Sequence, residues 1–385
     1  IDVIGTPDIK IITGVRRSGK SKLLEMFKKY IIENIKNYNI IGINFNLVKF
    51  DNLRDYISLN NYIEKQYIEG KNNFVLIDEV QMCKEFERTI NSLHAEEKFD
   101  IYITGSNAFL LSSDLATLFT GRTYEIQIYP FSFKEFIEYF KYENIQDAFE
   151  KYVLEGGMSG SYIYNDVKQK YNYINEVYNA LIVRDIQQKY NIQNIGLMDS
   201  LTEFLMDNVS NLTSYRKVAN KLNENNINTN DKTISNYINY LCDAFAFYKI
   251  RRYDIQGKSV LKTLNKYYAS DLGVKKIKTN NKEVNYSNSL ENIVYNDLIA
   301  KGYEVYIGKT KKGEVDFVAT KNKDLKYIQV CYSLSEEETK DREFGAYTGI
   351  DDSYTRYVIS LDEEDYSRDG IKHINIFDFL MNDDF

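Results

Sequence analysis

Residues 14–21, GVRRSGKS, place two glycines, a lysine and a hydroxyl in the order G-x-x-x-x-G-K-[ST]. Glycines at these two places let the backbone curl until its N–H groups converge, and converging N–H groups hold phosphate oxygens. The whole loop, Gly14, Val15, Arg16, Arg17, Ser18, Gly19, Lys20 and Ser21, is therefore expected to wrap a triphosphate. Lys20 is expected to reach the β- and γ-phosphates, and the Ser21 hydroxyl to sit on Mg²⁺. Farther along, NNFVLIDEV closes an apolar run with Asp78 and Glu79. Adjacent acids at the end of a strand fit the other half of that chemistry. Asp78 would hold the metal through water, and Glu79 would orient or deprotonate the attacking water. The implied cofactors are ATP and Mg²⁺.

These residues work only if the right elements carry them. IKIIT, before the loop, reads as a short apolar strand, and after the loop Leu24, Phe27, Ile31 and Ile35 recur at helical spacing. The loop thus leads into a helix N-terminus, where the dipole favours anions. Residues 74–77 are continuously apolar, as in a strand buried on both faces. DIYITGSNA, starting at Asp100, reads as another strand with Thr104, Ser106 and Asn107 at its end. Ser106 or Asn107 is a candidate to reach the γ-phosphate; a turn capping the next helix explains the same residues equally well. In TYEIQIY polar and apolar residues alternate, which predicts a strand with Arg122 just before it. Arg122 reads either as a surface arginine or as a cation that steadies the transferring phosphate, in its own chain or a neighbouring copy.

The phrases ITGVRRSGKS, LIDEVQ, ITGSNAFLLSS and GRTYEIQIYPFSFKEF resemble AAA-type P-loop ATPases. They look like the bacterial and archaeal branch of unassigned function that carries a carboxyl-terminal nuclease-like domain. The resemblance runs over nearly the full chain. It implies an open parallel sheet with helices on both faces, and a strand inserted between the two motif strands.

From Phe133 to about Asn194 the pattern is mostly helical. Phe133, Phe136, Ile137 and Phe140 share one helix face, an aromatic stripe expected in the core. EGGMSGSY, residues 155–162, breaks the helices and reads as a linker or hinge. Residues 200–278 read as helix, turn, helix and then a hairpin turning near Gly257, the order of a winged helix. This stretch has 13 Lys and Arg against 7 Asp and Glu, a balance of +6; the chain totals −7, so the remainder carries −13. A basic patch on an acidic protein is the electrostatic footprint of nucleic-acid binding. Lys232, Asn236, Arg251, Arg252 and Lys258 are the candidate DNA contacts. Winged helices also serve as protein-binding modules or lids, and that alternative stays open.

Beyond residue 279 a helix ending at Gly302 precedes three strand-like segments, EVYIG, EVDFVA and YIQVCYS. This order resembles the restriction-endonuclease-like core. The resemblance implies a metal site in which Glu291 is the helix acid, Asp316 the strand acid, and Gln329 and Cys331 stand where that core has an acid and a lysine. Gln329 still offers a carbonyl oxygen. Cys331 supplies no cation and is a poor partner for magnesium, so loss of cleavage is expected. Lys326, earlier on the same segment, is a candidate substitute, and Glu291 and Asp316 also read as plain surface acids.

The chain has 385 residues, enough for two or three domains at about 100–200 residues each. The expected fold is α/β: a P-loop parallel sheet with helices on both faces, a winged-helix module and a small restriction-endonuclease-like domain. The expected boundaries are 1–135, 136–199, 200–278 and 279–385. Three dispersed cysteines give no disulfide or zinc spacing, and only two histidines are present, which points to a reducing cytoplasm. No apolar run is long enough for a membrane span. The sequence predicts an ATPase that acts on DNA or is regulated by it, with self-association as a further expectation. The alternative is a nucleotide-gated switch that assembles with a protein partner and turns over slowly.

Overall fold

The computed structural model describes residues 2–105, 119, 121–261, 264–279, 286–311, 313–383 and 385. Ser106 and Asn107 lie outside the described residues. The chain folds as two units.

The first unit comprises Ile1–Tyr129, Asn179–Gln193 and Asp243–Phe245. Its elements run β1 (Ile9–Gly14), α1 (Lys20–Asn34), β2 (Tyr38–Asn44), α2 (Tyr56–Glu64), β3 (Asn72–Asp78), α3 (Phe86–Ala95), β4 (Phe99–Thr104) and β5 (Thr123–Ile128). The strands form one sheet in the order β2-β3-β4-β1-β5, and every pairing is parallel. β4 lies between the loop strand β1 and the acid-bearing strand β3, the insertion that the resemblance implies. Every residue of β1 is buried, and the apolar run in β3 is buried too. Alternate side chains serve opposite faces. Ile9, Ile11, Val75, Ile77 and Ile103 pack with Leu59, Ile63, Ile90 and Leu93 from α2 and α3. Ile12, Phe74, Leu76 and Tyr102 pack with Leu24, Phe27 and Ile31 from α1. Such two-sided cover is what an all-parallel sheet needs, and it puts every strand's carboxyl end on the same rim.

The second unit comprises Pro130–Tyr178, Asn194–Cys242 and Ala246–Phe385. Helices come first: α4 (Phe133–Phe140), α5 (Ile145–Glu155), α6 (Val167–Ala180), α7 (Ile195–Asp207), α8 (Tyr215–Glu224) and α9 (Asp231–Asp243). Strands β6 (Phe247–Ile250), β7 (Arg252–Asp254), β8 (Ser259–Val260) and β9 (Lys266–Ala269) follow, then α10 (Leu272–Lys278) and α11 (Tyr286–Ala300). The chain ends with β10 (Glu304–Lys309), β11 (Glu314–Lys321), β12 (Asp324–Val330), α12 (Glu337–Gly345), β13 (Thr355–Ser360), β14 (Ile371–Asn375) and α13 (Ile376–Met381). Phe133 and Phe136 are fully buried, and the Phe136 ring meets those of Phe140, Tyr152 and Tyr162, so the aromatic stripe is core.

Two features differ from the sequence expectation. Residues 155–158 are buried, so the glycine-rich stretch is no hinge. A Cβ on Gly156 would collide with the Asp271 carboxylate, and one on Gly157 with the carbonyl oxygen of Phe131. The Gly157 N–H donates to Asp271 at 2.7 Å. The glycines are there for close packing, not freedom. The hairpin around Gly257 also divides. β7 and β8 pair antiparallel across it, but β6 pairs with β9 instead, and β7 lies parallel to β10. The resulting seven-stranded sheet, β14-β13-β12-β11-β10-β7-β8, draws strands from both sides of residue 278.

Candidate nucleotide site and an acidic cavity

The loop between β1 and α1 is shaped by its glycines. Gly14 has φ 137° and Gly19, at the start of α1, φ 108°. A side chain at Gly14 would strike the carbonyl oxygen of Ile128 on β5, so the backbone can pass there only without a Cβ. Arg17 also takes a left-handed φ, 66°, and completes the curl. The Ser18 hydroxyl is buried with no partner among the described residues. Lys20 Nζ donates to the carbonyls of Gly14 at 2.7 Å and Val15 at 3.1 Å. Burial pulls the Lys20 pKa down to about 8, although Glu79, Asp185 and Asp78 hold it up.

Asp78, at the end of β3, is 4% exposed. Its carboxylate accepts from Ser21 Oγ at 3.0 Å, from Asn44 Nδ2 at 3.0 Å and from Thr104 Oγ1. Burial raises its pKa, while the Thr104 and Ser21 hydrogen bonds work in the other direction. Glu79 follows in the left-handed region at φ 59° and accepts from Gln81 Nε2 at 2.6 Å. Its N–H donates to Thr104 Oγ1 at 3.3 Å. Lys20, Ser21, Asp78 and Glu79 are thus gathered on one rim of the sheet. Arg122 is not with them. It is exposed, and its carbonyl accepts from the N–H of Ile9, at the end of β1 opposite Gly14. Ile128, beside the loop, is the sixth and last residue of β5 after Arg122, about 17–20 Å away along extended chain, so Arg122 does not serve the loop of its own unit.

Three residues of this site escaped the sequence reading. In sequence Thr104 marks only the end of a strand and Asn44 belongs to no motif; the sheet order places both beside Asp78. Asp185 is far along the chain, yet its carboxylate accepts from Arg16 Nη1 at 3.0 Å. No local signal marks it.

In the second unit a cavity of about 540 Å³ is lined by Glu291, Glu314, Asp316, Gln329 and Glu343, among others. Glu291 and Asp316 come together as expected, but the cation comes from elsewhere. Lys266, on β9 and 4% exposed, places Nζ 3.1 Å from Glu291, 2.6 Å from Glu314 and 3.7 Å from Asp316. Burial pulls its pKa down, but the three carboxylates outweigh burial and hold it above the ordinary lysine range. Burial, and then Glu291, push the Asp316 carboxyl well above the usual range. Gln329 does not offer a free oxygen: Oε1 accepts the Asp316 N–H at 2.6 Å, and Nε2 donates to Glu343 at 2.7 Å. Cys331 is packed in the apolar core, where burial raises its thiol pKa. Lys326 donates to Asp324 and to the Tyr303 hydroxyl, so it is not the substitute cation.

The basic candidates divide. Lys232, Asn236, Arg251 and Lys258 are exposed, whereas Arg252 is half-buried in β7 with its Nε enclosed.

Two outcomes follow from this geometry. An unliganded Lys20 with a pKa near 8 must gain or keep its proton to pair with phosphate. Nucleotide affinity should therefore be flat below pH 8 and fall above it, by up to about tenfold per pH unit. A titration from pH 6.5 to 9.5 checks this, and Lys20→Arg should flatten the profile. Lys266→Met should destabilise the second unit by about 3–5 kcal/mol, because it leaves buried carboxylates without their cation; denaturant unfolding measures it.

Residues 6–137 match a family described as an AAA domain, and residues 146–285 match a domain of unknown function (DUF8612). An uncharacterized protein of Haemophilus influenzae is 34% identical over 383 residues, covering 98% of this chain and 95% of that protein. An uncharacterized protein of Methanocaldococcus jannaschii is 28% identical, covering 96% of this chain and 85% of its own length. Among solved structures, AMPPCP-bound DnaA from Aquifex aeolicus is similar at 16% identity and a TM-score of 0.29, over 53% of this chain and 65% of that one. Cdc6p from Pyrobaculum aerophilum is similar at 11% identity and a TM-score of 0.30, over 72% and 89%. With its AAA domain followed by the domain of unknown function, this chain belongs to the family of the Haemophilus influenzae protein.

Proposed function

We propose that the first unit binds ATP with Mg²⁺ and hydrolyses it. The observation that carries this reading is the hydrogen bond from Ser21 of the loop to Asp78 of the acid strand, with Lys20 and Glu79 alongside. The loop also suits a polyphosphate: its glycines leave no Cβ in the way, and the buried Ser18 hydroxyl has no partner among the described residues. Ser21 and Asp78, already joined by a hydrogen bond, are the residues that would hold Mg²⁺, together with water and the nucleotide. Bound there, Mg²⁺ supplies charge neutralisation on the phosphates. Lys20 leaves the Gly14 and Val15 carbonyls for the β- and γ-phosphates. Thr104 fixes the Asp78 carboxylate and the Glu79 backbone, and the Glu79 carboxylate, held by Gln81, is the group that would orient or deprotonate the attacking water. Arg122, exposed on the far rim, is suited to a neighbouring copy's nucleotide and not to its own.

We further propose that residues 200–278 act as a winged helix on DNA, through Lys232, Asn236, Arg251 and Lys258. The exposed cations and the helix-helix-strand order support this reading. Residues 279–385 serve as a nuclease-like domain that does not cut. Lys266 already pairs with Glu291, Glu314 and Asp316, and Gln329 is engaged on both ends.

Glu79→Gln should keep ATP bound while lowering turnover at least about a hundredfold, the usual size of a general-base contribution. Labelled-ATP binding measured beside phosphate release checks this, and equal turnover in mutant and wild type would place the base elsewhere. Reversing the charge of Arg251 and Lys258 together should weaken DNA binding and flatten its salt dependence, by about 0.9 in log–log slope per lost phosphate contact. Wild-type protein without DNA affinity at low salt would leave the protein-switch reading in its place.

A further inference from the structure

Residues 181–187, LIVRDIQ, form a π-helix within the first unit. π-helical turns are rare and recur at functional sites, because one extra residue per turn swings a side chain out of helical register. Asp185 lies within this turn and is 8% exposed. Both of its carboxylate oxygens face Arg16 Nη1, at 3.0 and 3.4 Å. Arg16 sits between Gly14 and Gly19, inside the loop proposed to hold the nucleotide phosphates. Lys20 is the other cation near Asp185, and Glu79 is the nearby like charge.

We propose that Asp185 is a built-in competitor of nucleotide phosphate for Arg16. This rests on the nucleotide-binding reading of the loop. One guanidinium edge cannot serve a buried carboxylate and an incoming phosphate together, because the two anions would meet at the same donor and repel. A phosphate that takes Arg16 at Nη1, the donor Asp185 occupies, therefore displaces Asp185. Asp185 left beside Lys20 would then sit buried next to new negative charge, so the π-helical segment has to shift. Asp185 has no part in holding the metal or in activating water; those roles fall to Ser21, Asp78 and Glu79. Its pairing instead lowers nucleotide affinity and makes segment 179–193 responsive to phosphate. That segment joins, at both ends, to stretches that belong to the second unit, Pro130–Tyr178 and Asn194–Cys242. A shift at Asp185 thus acts on chain that continues into the second unit in both directions.

The test uses the full chain and the fluorescent nucleotide mant-ATP with Mg²⁺. Asp185→Asn keeps the shape and removes the charge, so affinity should rise roughly five- to tenfold, the scale of one partly buried ion pair. In an Arg16→Gln background the same change should bring little gain. Hydrogen exchange supplies a second readout that needs no variant. Saturating nucleotide should speed exchange of the amides of residues 181–190 in the wild type, and in Asp185→Asn these amides should already exchange fast. Unchanged or weaker affinity in Asp185→Asn, or exchange in the wild type that nucleotide leaves unaltered, overturns the competitor role while the nucleotide site stands. Wild-type protein that fails to bind mant-ATP at all overturns both.

Discussion

The carboxylate of Asp78 is buried at the end of a strand packed on both faces, and a buried charge survives only where donors surround it. Its donors come from three different places: Ser21 at the start of α1, Asn44 at the end of β2 and Thr104 at the end of β4. The sheet order β2-β3-β4-β1-β5 is what makes this convergence available, because it flanks β3 with β2 and β4. In turn the hydrogen bonds pin the loop, the acid strand and their neighbours to one another. The positions of Lys20 and Glu79 follow from that anchor: one is fixed to the loop carbonyls, the other is turned by a left-handed residue immediately after Asp78.

The second unit solves the same electrostatic problem with a different cation. Glu291, Glu314 and Asp316 approach one another closely, and Lys266 lies among them. The lysine comes from β9, well before the acids in sequence, and Asn292 of α11 holds β9 in place by hydrogen bonds to both the N–H and the carbonyl of Ala269. Together with the β7–β10 pairing, this ties the helix-strand segment before residue 278 to the sheet after it. The two pieces that look separable in sequence share one charged core.

Much of the first unit was legible because its signals are local. A glycine loop between an apolar strand and a helix, and two acids closing an apolar run, are each written in consecutive residues, and four of the five strands follow from apolar runs or alternation, whereas β2 carries no such reading. The aromatic stripe of α4 was equally plain. The glycine-rich stretch at 155–158 misled because glycine marks both freedom and close approach, and only the neighbours Asp271 and Phe131 show which one applies. No sequence signal was read for β13, β14 and α13, since their short apolar runs are separated by charged turns.

The sequence by itself determined the phosphate loop, the acid pair and the apolar strands that carry them, because hydrophobic period and backbone permissiveness act over a few residues. Only the tertiary structure decided which distant groups complete those motifs. Asp185 on Arg16, Thr104 and Asn44 on Asp78, and Lys266 among Glu291, Glu314 and Asp316 are all contacts across long stretches of chain. Charge pairing depends on distance in space and on burial, and neither is recorded in the order of residues until the chain has packed.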